Sequence, residues 1–562
     1  MLKRSKLAAL AAVLTAAALI FTGCTGSATP APTPEPAATA ATAAPTATPA
    51  ATATAAAATA APAPPAETGR KALTIMFPDQ PILEDVFTNY ATGWLEDRMD
   101  VDLDFYILPN VGWQDVFEVM VAANEKLPDL VFGSSSANFV ATHAANGVFI
   151  DITPLYEEYG VHMKAALESD AYAMSQTVFP DGKMYSVPRV QYQTHTEYSP
   201  KFFLNEVWMN NLGLQIPETY EGLVDVFRAF RDDDPNGNGL QDEIPISGHK
   251  DELPFNFLMG SFTFVNGAHN LQVNDAGVLN ACYTTDGWRN GLRAFNALWE
   301  EGGILDPMMF TQDNEQLRAV AQREGDTILG AVIAMNSTMP FQNAIEKAHE
   351  FVGTPPFAGP DGTRYTAYSP PSVTYNGQIT KYCEDPVFAF QFMDNTYELE
   401  TTMVIRYGEQ GVDWDWLPEG SKGILTESMG IPATFSLLST VQTGVQNKWW
   451  HVWSPLYIPY SIGDGWPWLD DVARVAMDAI GILYGYVPDK IVGRILYTPD
   501  EMGEINEILS NLNNYRNEAR SLFILGDMDV EKDWDAYLAE LNSIGLPKYL
   551  EVTQAAYERM PK

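Results

Sequence analysis

A long stretch near the N-terminus cannot contribute to a folded core. Residues 25–70 are almost entirely Ala, Thr, Pro, Ser and Gly, and they bury too little apolar surface to offset the entropy lost on ordering. We therefore predict a disordered tether over residues 24–70, stiffened by its prolines. Folding is left to residues 71–562, a length that suits two to four domains or one two-lobed unit.

The segment before the tether has the pattern of an export signal. Three basic residues precede an apolar run from Leu7 to Phe21, so residues 1–23 are predicted to be a signal peptide. The Phe-Thr-Gly-Cys sequence that ends at Cys24 resembles a bacterial lipobox, and this resemblance implies a diacylglycerol on Cys24. Ordinary signal cleavage, with Cys24 incidental, is the alternative. Lipidation implies a place on the cell surface, anchored to the outer face of the cytoplasmic membrane as in Gram-positive bacteria.

Charge and cysteine usage exclude several classes of partner. The chain carries a formal net charge of −39, and such a surface repels polyanions, so we expect neither nucleic acid nor anionic lipid headgroups as partners. Besides Cys24 there are two cysteines, Cys282 and Cys383, which are too few for a disulfide framework and are expected to be buried thiols. No spacing of Cys and His suggests a zinc site.

Apolar runs alternate with amphipathic stretches after the tether, which predicts an α/β fold. Strands are predicted over 72–77, 101–108 and 127–133, with helices over 82–100 and 113–124 between them. This order is that of the first half of a doubly wound sheet. Further predicted elements are strands at 202–207 and 329–335 and helices at 219–232, 286–301, 385–399, 501–522 and 530–543.

An acidic loop between Asp232 and Glu243 is the strongest local signal for a bound ion. Oxygen-bearing side chains recur at every second position and glycines permit a tight turn, which suits Ca²⁺ with its six to eight oxygen ligands. Two registers fit. One starts at Asp232 and follows the EF-hand template, with Glu243 as its twelfth residue. The other uses Asp234, Asn236, Asn238, the Leu240 carbonyl, Asp242 and Glu243. A hydrated acidic loop without metal is the remaining alternative.

The same region resembles a known protein family. The run from Phe202 to Ser247 resembles bacterial extracellular solute-binding proteins of family 1, especially the branch with Gram-positive lipoproteins and alginate-oligosaccharide-binding proteins. The matching features are Trp208, Leu212-Gly213-Leu214, Pro217-Glu218-Thr219 and the run from Asp234 to Pro245, together with runs at 127–133, 181–188 and 407–414.

The resemblance implies a fold and a function. The fold is a two-lobed, periplasmic-binding-protein-like α/β fold of type II, in which each lobe is a doubly wound sheet with flanking helices and a hinge joins the lobes. Lobe 1 is expected over 71–190 plus about 375–440, and lobe 2 over 191–374 plus about 441–562. The resemblance also favours the Asp234 register, with a structural calcium ion at 234–243. The implied function is capture of a carbohydrate, notably an oligosaccharide, for delivery to an ABC-type permease.

Sugar-binding residues are expected where strands end and where aromatic rings are concentrated. Ligands of open α/β sheets bind beyond the C-terminal ends of the strands, and aromatic faces suit the C–H faces of sugars. The candidates are Asp79, Ser134, Ser135, Arg189, Tyr192 and Asn336, with the tryptophans Trp449, Trp450, Trp453, Trp466 and Trp468. For the polar residues the alternative is a turn or a helix cap, and for each tryptophan it is a core position.

Two other functions are compatible with the composition. A secreted glycoside hydrolase or lyase could use a pair of the many carboxylates, but no catalytic motif stands out and the seven histidines form no cluster. A surface glycan-binding adhesin is the second alternative. We expect a monomeric binding protein that is not an enzyme.

Overall fold

The computed structural model of the chain describes residues 69–267, 269–439, 445–450, 453–464 and 479–560, which all belong to a unit running from Pro65 to Lys562. The predicted signal peptide, Cys24, nearly all of the predicted tether, Trp466 and Trp468 lie outside the described residues. Within the described residues, no helix has the length and apolar character needed to cross a membrane.

The strands of this part of the chain form one large sheet and three small ones. In chain order the strands are β1 Lys71–Pro78, β2 Val101–Leu108, β3 Leu130–Ser135, β4 Val187–Gln191, β5 Lys201–Asn205, β6 Leu271–Val273, β7 Leu279–Ala281, β8 Ala331–Ala334, β9 Phe351–Gly353, β10 Ser372–Ile379, β11 Trp414–Trp416, β12 Phe435–Leu437 and β13 Leu456–Ile458.

Helices cover both faces of the six-stranded sheet. They are α1 Tyr90–Met99, α2 Trp113–Ala122, α3 Ala137–Ala145, α4 Thr153–Tyr159, α5 His162–Glu168, α6 Ala171–Thr177, α7 Thr194–Glu197, α8 Glu206–Asn211, α9 Tyr220–Asp232, α10 Phe255–Leu258, α11 Asp286–Glu301, α12 Asn314–Ala321, α13 Ile345–Ala348, α14 Pro386–Asn395, α15 Leu399–Tyr407, α16 Thr426–Met429, α17 Tyr460–Gly463, α18 Pro499–Leu525, α19 Trp534–Ile544 and α20 Leu546–Arg559.

The first lobe is built on a six-stranded sheet in the order β13-β4-β10-β3-β1-β2. All its strands run parallel except β10, which is antiparallel to both β3 and β4. Consecutive residues of a strand point to opposite faces. Ile75 of β1 accordingly lies in the core under α1, α14 and α15, whereas Met76 lies in the core under α2 and α3. Five of the six strands therefore end at the same edge of the sheet.

The second lobe is built on the smaller sheet β8-β5-β9, whose central strand runs antiparallel to both neighbours. Its core lies between amphipathic helices α9 and α11, which bury Phe227 and Phe295, and the C-terminal helices α18 to α20. The Thr285 hydroxyl accepts the Trp288 N–H at the start of α11, a cap that satisfies one of the free helix donors. Gly302, at φ +79°, ends this helix.

Three chain segments cross between the lobes. Crossing one, residues 192–200, joins β4 to β5, and crossing two, residues 354–371, joins β9 to β10. Crossing three leaves β13 at Pro459 and is described as far as Asp464. The chain next described, from residue 479, enters the second lobe, where Ile480 is fully buried, and further on Leu496 packs in a core of the first lobe.

The two-lobed α/β architecture predicted from sequence is confirmed, and the differences are local. Residues 445–450 and 453–458 belong to the first lobe, although the sequence analysis assigned residues after about 440 to the second, because β13 pairs with β4 and Trp450 packs in the first core. The predicted strand at 202–207 ends at Asn205, whose side chain accepts the Trp208 N–H and starts α8. Both described cysteines are free thiols; Cys282 is buried and Cys383 half-buried.

Trp450 provides a test of the core assignment. Its side chain is 0 % exposed, meets Phe77, Phe105 and Phe132 edge to face, and donates its indole N–H to the Thr92 hydroxyl at 2.8 Å. Replacement by Ala should lower the free energy of unfolding by about 3–5 kcal/mol, because it opens a large cavity.

The measurement is urea unfolding followed by circular dichroism, with Trp416→Ala as the control. Trp416 is 38 % exposed, so its loss should cost much less. Equal losses for the two variants would contradict the core position of Trp450.

Candidate functional site

The edge where five strands of the first sheet end is the candidate binding surface. The chain leaves β4 and β13 at this edge to enter crossings one and three, so the edge faces the second lobe. Asp79 and Ser134 are exposed here, and Asp79 donates its backbone N–H to the Leu108 carbonyl at 2.7 Å. The Ser135 hydroxyl is buried without a hydrogen-bond partner. These three predicted residues therefore share one edge.

Trp453 lies beside them, although it is far away in sequence. The Gly133 N–H donates to the Trp453 carbonyl at 3.1 Å, and the Asn376 side-chain amide donates to the same oxygen at 3.2 Å. The indole is half-buried, and its N–H has no hydrogen-bond partner. Trp453 is thus a predicted tryptophan placed at the end of β3, next to Ser134.

The other described tryptophans of the predicted cluster are not at this edge. Trp449 is 2 % exposed and Trp450 is 0 % exposed, and both lie in the first-lobe core. The Gln80 side chain donates to the Trp450 carbonyl at 2.9 Å, which fixes this segment against the sheet. The prediction of exposed rings is wrong for these two residues, because the apolar core takes both indoles.

The second lobe presents a facing edge made by the end of β8 and the start of β5. Asn336 follows β8, and its side-chain oxygen accepts the N–H and the hydroxyl of Thr338, so in this structure it supports a turn. Lys201 starts β5 and is fully buried; its ammonium donates to the carbonyls of His195 and Met335 at 2.8 and 2.9 Å. Crossing one is therefore fixed to both strands of this edge.

A pair of tyrosines and one carboxylate link the crossings to the first lobe. The Tyr192 hydroxyl donates to Asp170 at 2.5 Å, and the Tyr457 hydroxyl donates to the same oxygen at 3.1 Å. Burial, and then the hydrogen bond to Asp170, raise the pKa of Tyr192 far above its usual range. Tyr192, a predicted ligand contact, is only 7 % exposed and serves here as an internal contact of crossing one.

Glu197 joins all three crossings. From crossing one its carboxylate accepts the hydroxyl of Tyr460 in crossing three at 2.8 Å and that of Tyr368 in crossing two at 3.3 Å. Its carbonyl also accepts the Ser369 N–H at 2.8 Å. Burial raises the pKa of Glu197 to about 7, and Asp464 adds to the rise, against the lowering effect of the tyrosine hydrogen bonds.

Asp464 is a second buried carboxylate at the same place. It accepts the Thr194 N–H through both oxygens, at 3.1 and 3.0 Å, which ties crossing three to crossing one. Burial raises its pKa to about 7, although Thr194 and Lys201 oppose the rise. Burial likewise lowers the pKa of Lys201 to about 7.

Two guanidinium groups lie close together in the first lobe. Arg189, a predicted contact in β4, donates to the Gln191 side chain, and its Nε has no hydrogen-bond partner. Burial and the neighbouring Arg406 lower the pKa of Arg189 to about 9. Arg406, at the end of α15, is 5 % exposed, and its Nε and Nη1 are also without partners. No sequence pattern indicated a role for Arg406.

A cavity of about 440 Å³ lies where α6, crossing two and the C-terminal part of the chain meet. Its lining is Tyr172, Ser175, Gln176, Tyr368, Pro370, Pro371, Ile491, Gly493, Tyr557 and Met560. No charged side chain is among these residues. Because elements of both lobes line it, the shape of this cavity depends on how the lobes are oriented.

The predicted metal loop has a regular internal structure. The Asp234 carboxylate accepts the Gly239 N–H at 3.0 Å, the Asn236 side chain accepts the Asn238 N–H at 3.0 Å, and the Asn238 side chain accepts the Leu240 N–H at 2.7 Å. Gly239 adopts φ +75°, which turns the loop tightly. The side-chain oxygens named for the Asp234 register thus follow one another around a single loop.

Two observations bear on which register the loop uses. Asp232 is the last residue of α9, and both its oxygens accept the Arg231 guanidinium at 2.8 Å, so it is already engaged. Glu243, in contrast, has a buried Oε1 without a partner. Asp242 pairs with Arg323 at 3.1 Å. Among the described residues, no three His, Cys, Asp or Glu side chains are grouped so that they could hold a metal ion. The loop at 234–243 would instead combine carboxylates with amide and carbonyl oxygens.

Sequence comparison relates the chain to transport proteins. No protein-family model matches it. The fructooligosaccharide ABC transporter substrate-binding protein FusA of Streptococcus pneumoniae serotype 4 is 24% identical over 457 residues, which cover 77% of this chain and 80% of FusA. Lipoprotein LipO of Bacillus subtilis is 24% identical over 355 residues, covering 59% of this chain and 66% of LipO.

Solved structures share the fold. FusA in complex with kestose has a TM-score of 0.69 at 23% identity, covering 87% of this chain and 99% of FusA. An EF-hand mutant of FusA in complex with fructo-nystose has 0.70 at 22%, with the same coverage. An extracellular solute-binding protein of Bifidobacterium longum subsp. infantis has 0.74 at 18%, covering 88% and 100%. Alginate-binding protein AlgQ2 without calcium ion has 0.62 at 20%, covering 87% and 98%.

The chain therefore has the two-lobed fold of extracellular solute-binding proteins. Its sequence relatives are substrate-binding proteins of ABC transporters and a lipoprotein, which confirms the predicted resemblance.

Asp464 makes the stability of the hinge region depend on pH. Folding raises its pKa from 3.8 to about 7. Between pH 3.8 and pH 7 the carboxyl is therefore protonated in the folded state and ionised in the unfolded state. The favourable contribution of this carboxyl is complete below pH 4 and is lost as the pH rises through 7. In Asp464→Asn, the decrease in unfolding free energy from pH 4.5 to 7 should be shallower by up to about 1.4 kcal/mol per pH unit.

The measurement is urea unfolding at a series of pH values, with Asp527→Asn as the control, since Asp527 is exposed. An unchanged slope in Asp464→Asn would show that this carboxyl does not titrate in that range.

Proposed function

We propose that this chain is an extracytoplasmic solute-binding lipoprotein that captures an oligosaccharide between its lobes and delivers it to an ABC-type permease. The observation that carries the proposal is the meeting of two sheet edges at the crossings, with Asp79, Ser134 and Trp453 at the first edge and Asn336 at the second. The ligands in the related FusA structures, kestose and fructo-nystose, support a carbohydrate.

The proposed ligand contacts divide by chemistry. The exposed carboxylate of Asp79 and the hydroxyl of Ser134 offer directional hydrogen bonds to sugar hydroxyls, and the half-buried Trp453 offers a ring face. Ser135 and Arg189 lie further inside the first lobe and would orient these groups or contact a deeply bound ring. Tyr192 and Asn336 are engaged with protein groups in this structure, and they would have to exchange partners to meet a ligand.

Closure follows from where these groups lie. A ligand that touches both edges gains contacts only when the lobes approach, so binding shifts the population towards the closed state. The permease would then read the closed shape. The tether and a lipid on Cys24 would keep the domain within reach of that partner, and one copy of the chain is sufficient for this mechanism.

Binding without catalysis is favoured over a glycosidase. Glu197 and Asp464, whose pKa values are raised to about 7, are 3 % and 2 % exposed. Both are hydrogen-bonded within the crossings and are not directed into an open groove. A general acid must reach the glycosidic oxygen of its substrate, which these positions do not favour.

Trp453 tests the proposed ligand site. We expect a panel of neutral and acidic oligosaccharides, measured by titration calorimetry, to include at least one that binds the wild type and raises its melting temperature. Trp453→Ala should weaken that ligand at least about tenfold, because loss of a stacking ring costs about 1–3 kcal/mol.

Trp416→Ala is the matched control, since Trp416 is exposed on the small sheet β11-β12. Equal affinities for wild type and Trp453→Ala would remove Trp453 from the site. A panel in which no saccharide binds would count against the carbohydrate proposal as a whole.

We further propose that the loop 234–243 holds a structural Ca²⁺. The Asp234, Asn236, Asn238 and Asp242 side chains, the Leu240 carbonyl and Glu243 would be its ligands, all of them hard oxygens. The buried, unpartnered Oε1 of Glu243 fits this role. Calcium binding in relatives is supported by the EF-hand mutant of FusA and by AlgQ2 without calcium ion.

A bound ion would stabilise the second lobe through the isolated β-bridge between Ile244 and Leu329 that follows the loop. Ile244 donates its N–H to the Ile328 carbonyl at 2.7 Å and accepts the Gly330 N–H at 2.9 Å, so the loop leads directly into the residues that precede β8. Fixing the loop therefore fixes the edge of the second sheet.

Chelation tests the calcium proposal. EDTA should lower the melting temperature, and excess Ca²⁺, but not the same concentration of Mg²⁺, should restore it, because ligand binding to the folded state alone stabilises it. Glu243→Gln should abolish the calcium effect, whereas Asp232→Asn should retain it if the Asp234 register is correct. A melting temperature that does not change with EDTA would contradict the proposed ion. Loss of the calcium effect on the melting temperature in Asp232→Asn would favour the EF-hand register.

A further inference from the structure

Glu197 occupies a position that no ligand-binding role explains. Its carboxylate accepts the hydroxyls of Tyr460 and Tyr368, and its carbonyl accepts the Ser369 N–H. These contacts connect crossing one with crossings two and three through a single side chain that is 3 % exposed. We propose that Glu197 is a positioning residue of the hinge, whose negative charge holds the three crossings in one arrangement and whose neutralisation loosens the lobes.

The negative charge of Glu197 strengthens the hydrogen bonds that its carboxylate accepts from the two phenol hydroxyls. An ionised carboxylate accepts phenol hydroxyls in charge-assisted hydrogen bonds, which are roughly twice as strong as neutral ones. Both phenols donate to Oε2, while Oε1 is buried without a partner. A proton added at Oε1 would therefore create a buried hydroxyl with no acceptor and would weaken both tyrosine bonds at the same time.

The surroundings of Glu197 are known from every element that packs against it. The titratable groups that interact with it directly are Tyr198 of crossing one, Tyr368 of crossing two, Tyr460 and Asp464 of crossing three and Tyr172 of α6. Asp170, Tyr192 and Lys201 interact in turn with members of this group. Burial raises the pKa of Tyr368 and Tyr460 above the ordinary value, so both remain protonated donors at neutral pH.

No cation is hydrogen-bonded to Glu197 among the described residues. Lys201 is the nearest buried ammonium in this cluster, but it donates to two carbonyls and interacts electrostatically with Asp464. The pKa of Glu197, raised to about 7 chiefly by burial, then places its change of charge near neutrality. Between pH 5.5 and 8.5 its ionised-to-neutral ratio changes by about a thousandfold.

The inference concerns the ligand-free protein and therefore does not depend on the proposed carbohydrate. A spin label on each lobe reports their separation by pulsed electron resonance. Suitable sites are Glu125→Cys in the first lobe and Glu324→Cys in the second, both exposed. The background is the otherwise full chain with Cys24→Ser and Cys383→Ser, because Cys282 is fully buried and would not react.

The wild type should show one narrow distance distribution at pH 8.5 and a broader one at pH 5.5, with a midpoint near pH 7. Glu197→Gln, which keeps the shape but loses the charge, should lose the transition and stay broad. Tyr460→Phe, which keeps the carboxylate but removes a donor, should be broader than wild type at pH 8.5. Asp464→Asn should retain the transition.

A transition of unchanged amplitude in Glu197→Gln would overturn the proposal, as would its disappearance in Asp464→Asn alone. If Glu197→Gln does not fold, as judged by circular dichroism, the Tyr460→Phe distribution decides: a width equal to that of wild type at pH 8.5 would also overturn it. Failure to bind any saccharide would leave these results unaffected.

Discussion

The relation between the two sheets depends on how the chain satisfies buried polar groups where it crosses between them. Three crossings bring backbone amides, phenols and two carboxylates into a region with little access to water. A buried polar group without a partner destabilises the fold by more than one hydrogen bond stabilises it, so these groups form hydrogen bonds with one another. Thr194 with Asp464, and Tyr368 and Tyr460 with Glu197, are the pairs that result. The proposed cleft takes its geometry from these pairs.

Local sequence patterns predicted the elements that form from neighbouring residues. Strand β2 has the predicted bounds because its residues alternate, and α11 has them because Thr285 caps it and Gly302 ends it. The order of these elements along the chain predicted the α/β fold class, and local runs of sequence indicated the family resemblance. The position of Asp79 and Ser134 at the sheet edge could be predicted because the ends of parallel strands can be located from the strands themselves.

The remainder of the site comes from contacts between distant parts of the chain. The Trp453 backbone meets Gly133 of β3 because a segment more than 300 residues later pairs with the first sheet, and no local signal reveals that pairing. The neighbouring Trp449 and Trp450 have the same composition around them but lie in the core. Glu197, Asp464 and Arg406 resemble ordinary surface charges in the sequence, and only the crossings make them buried. Lone side chains of this kind are the usual limit of reasoning from one sequence.

The order of strands in the first sheet has a consequence for biogenesis. Strand β4 lies between β10 and β13, both of which are made far later than β4 itself. Since a chain is made from its N-terminus, β1, β2 and β3 can pair with one another early, whereas β4 is made long before either of its partners. After β10 has paired with β4, and until residue 458 is made, β4 would still present one unpaired edge, a site for mispairing and for proteases. Completion of the first sheet would thus be limited by β13, the strand that is made last among its six.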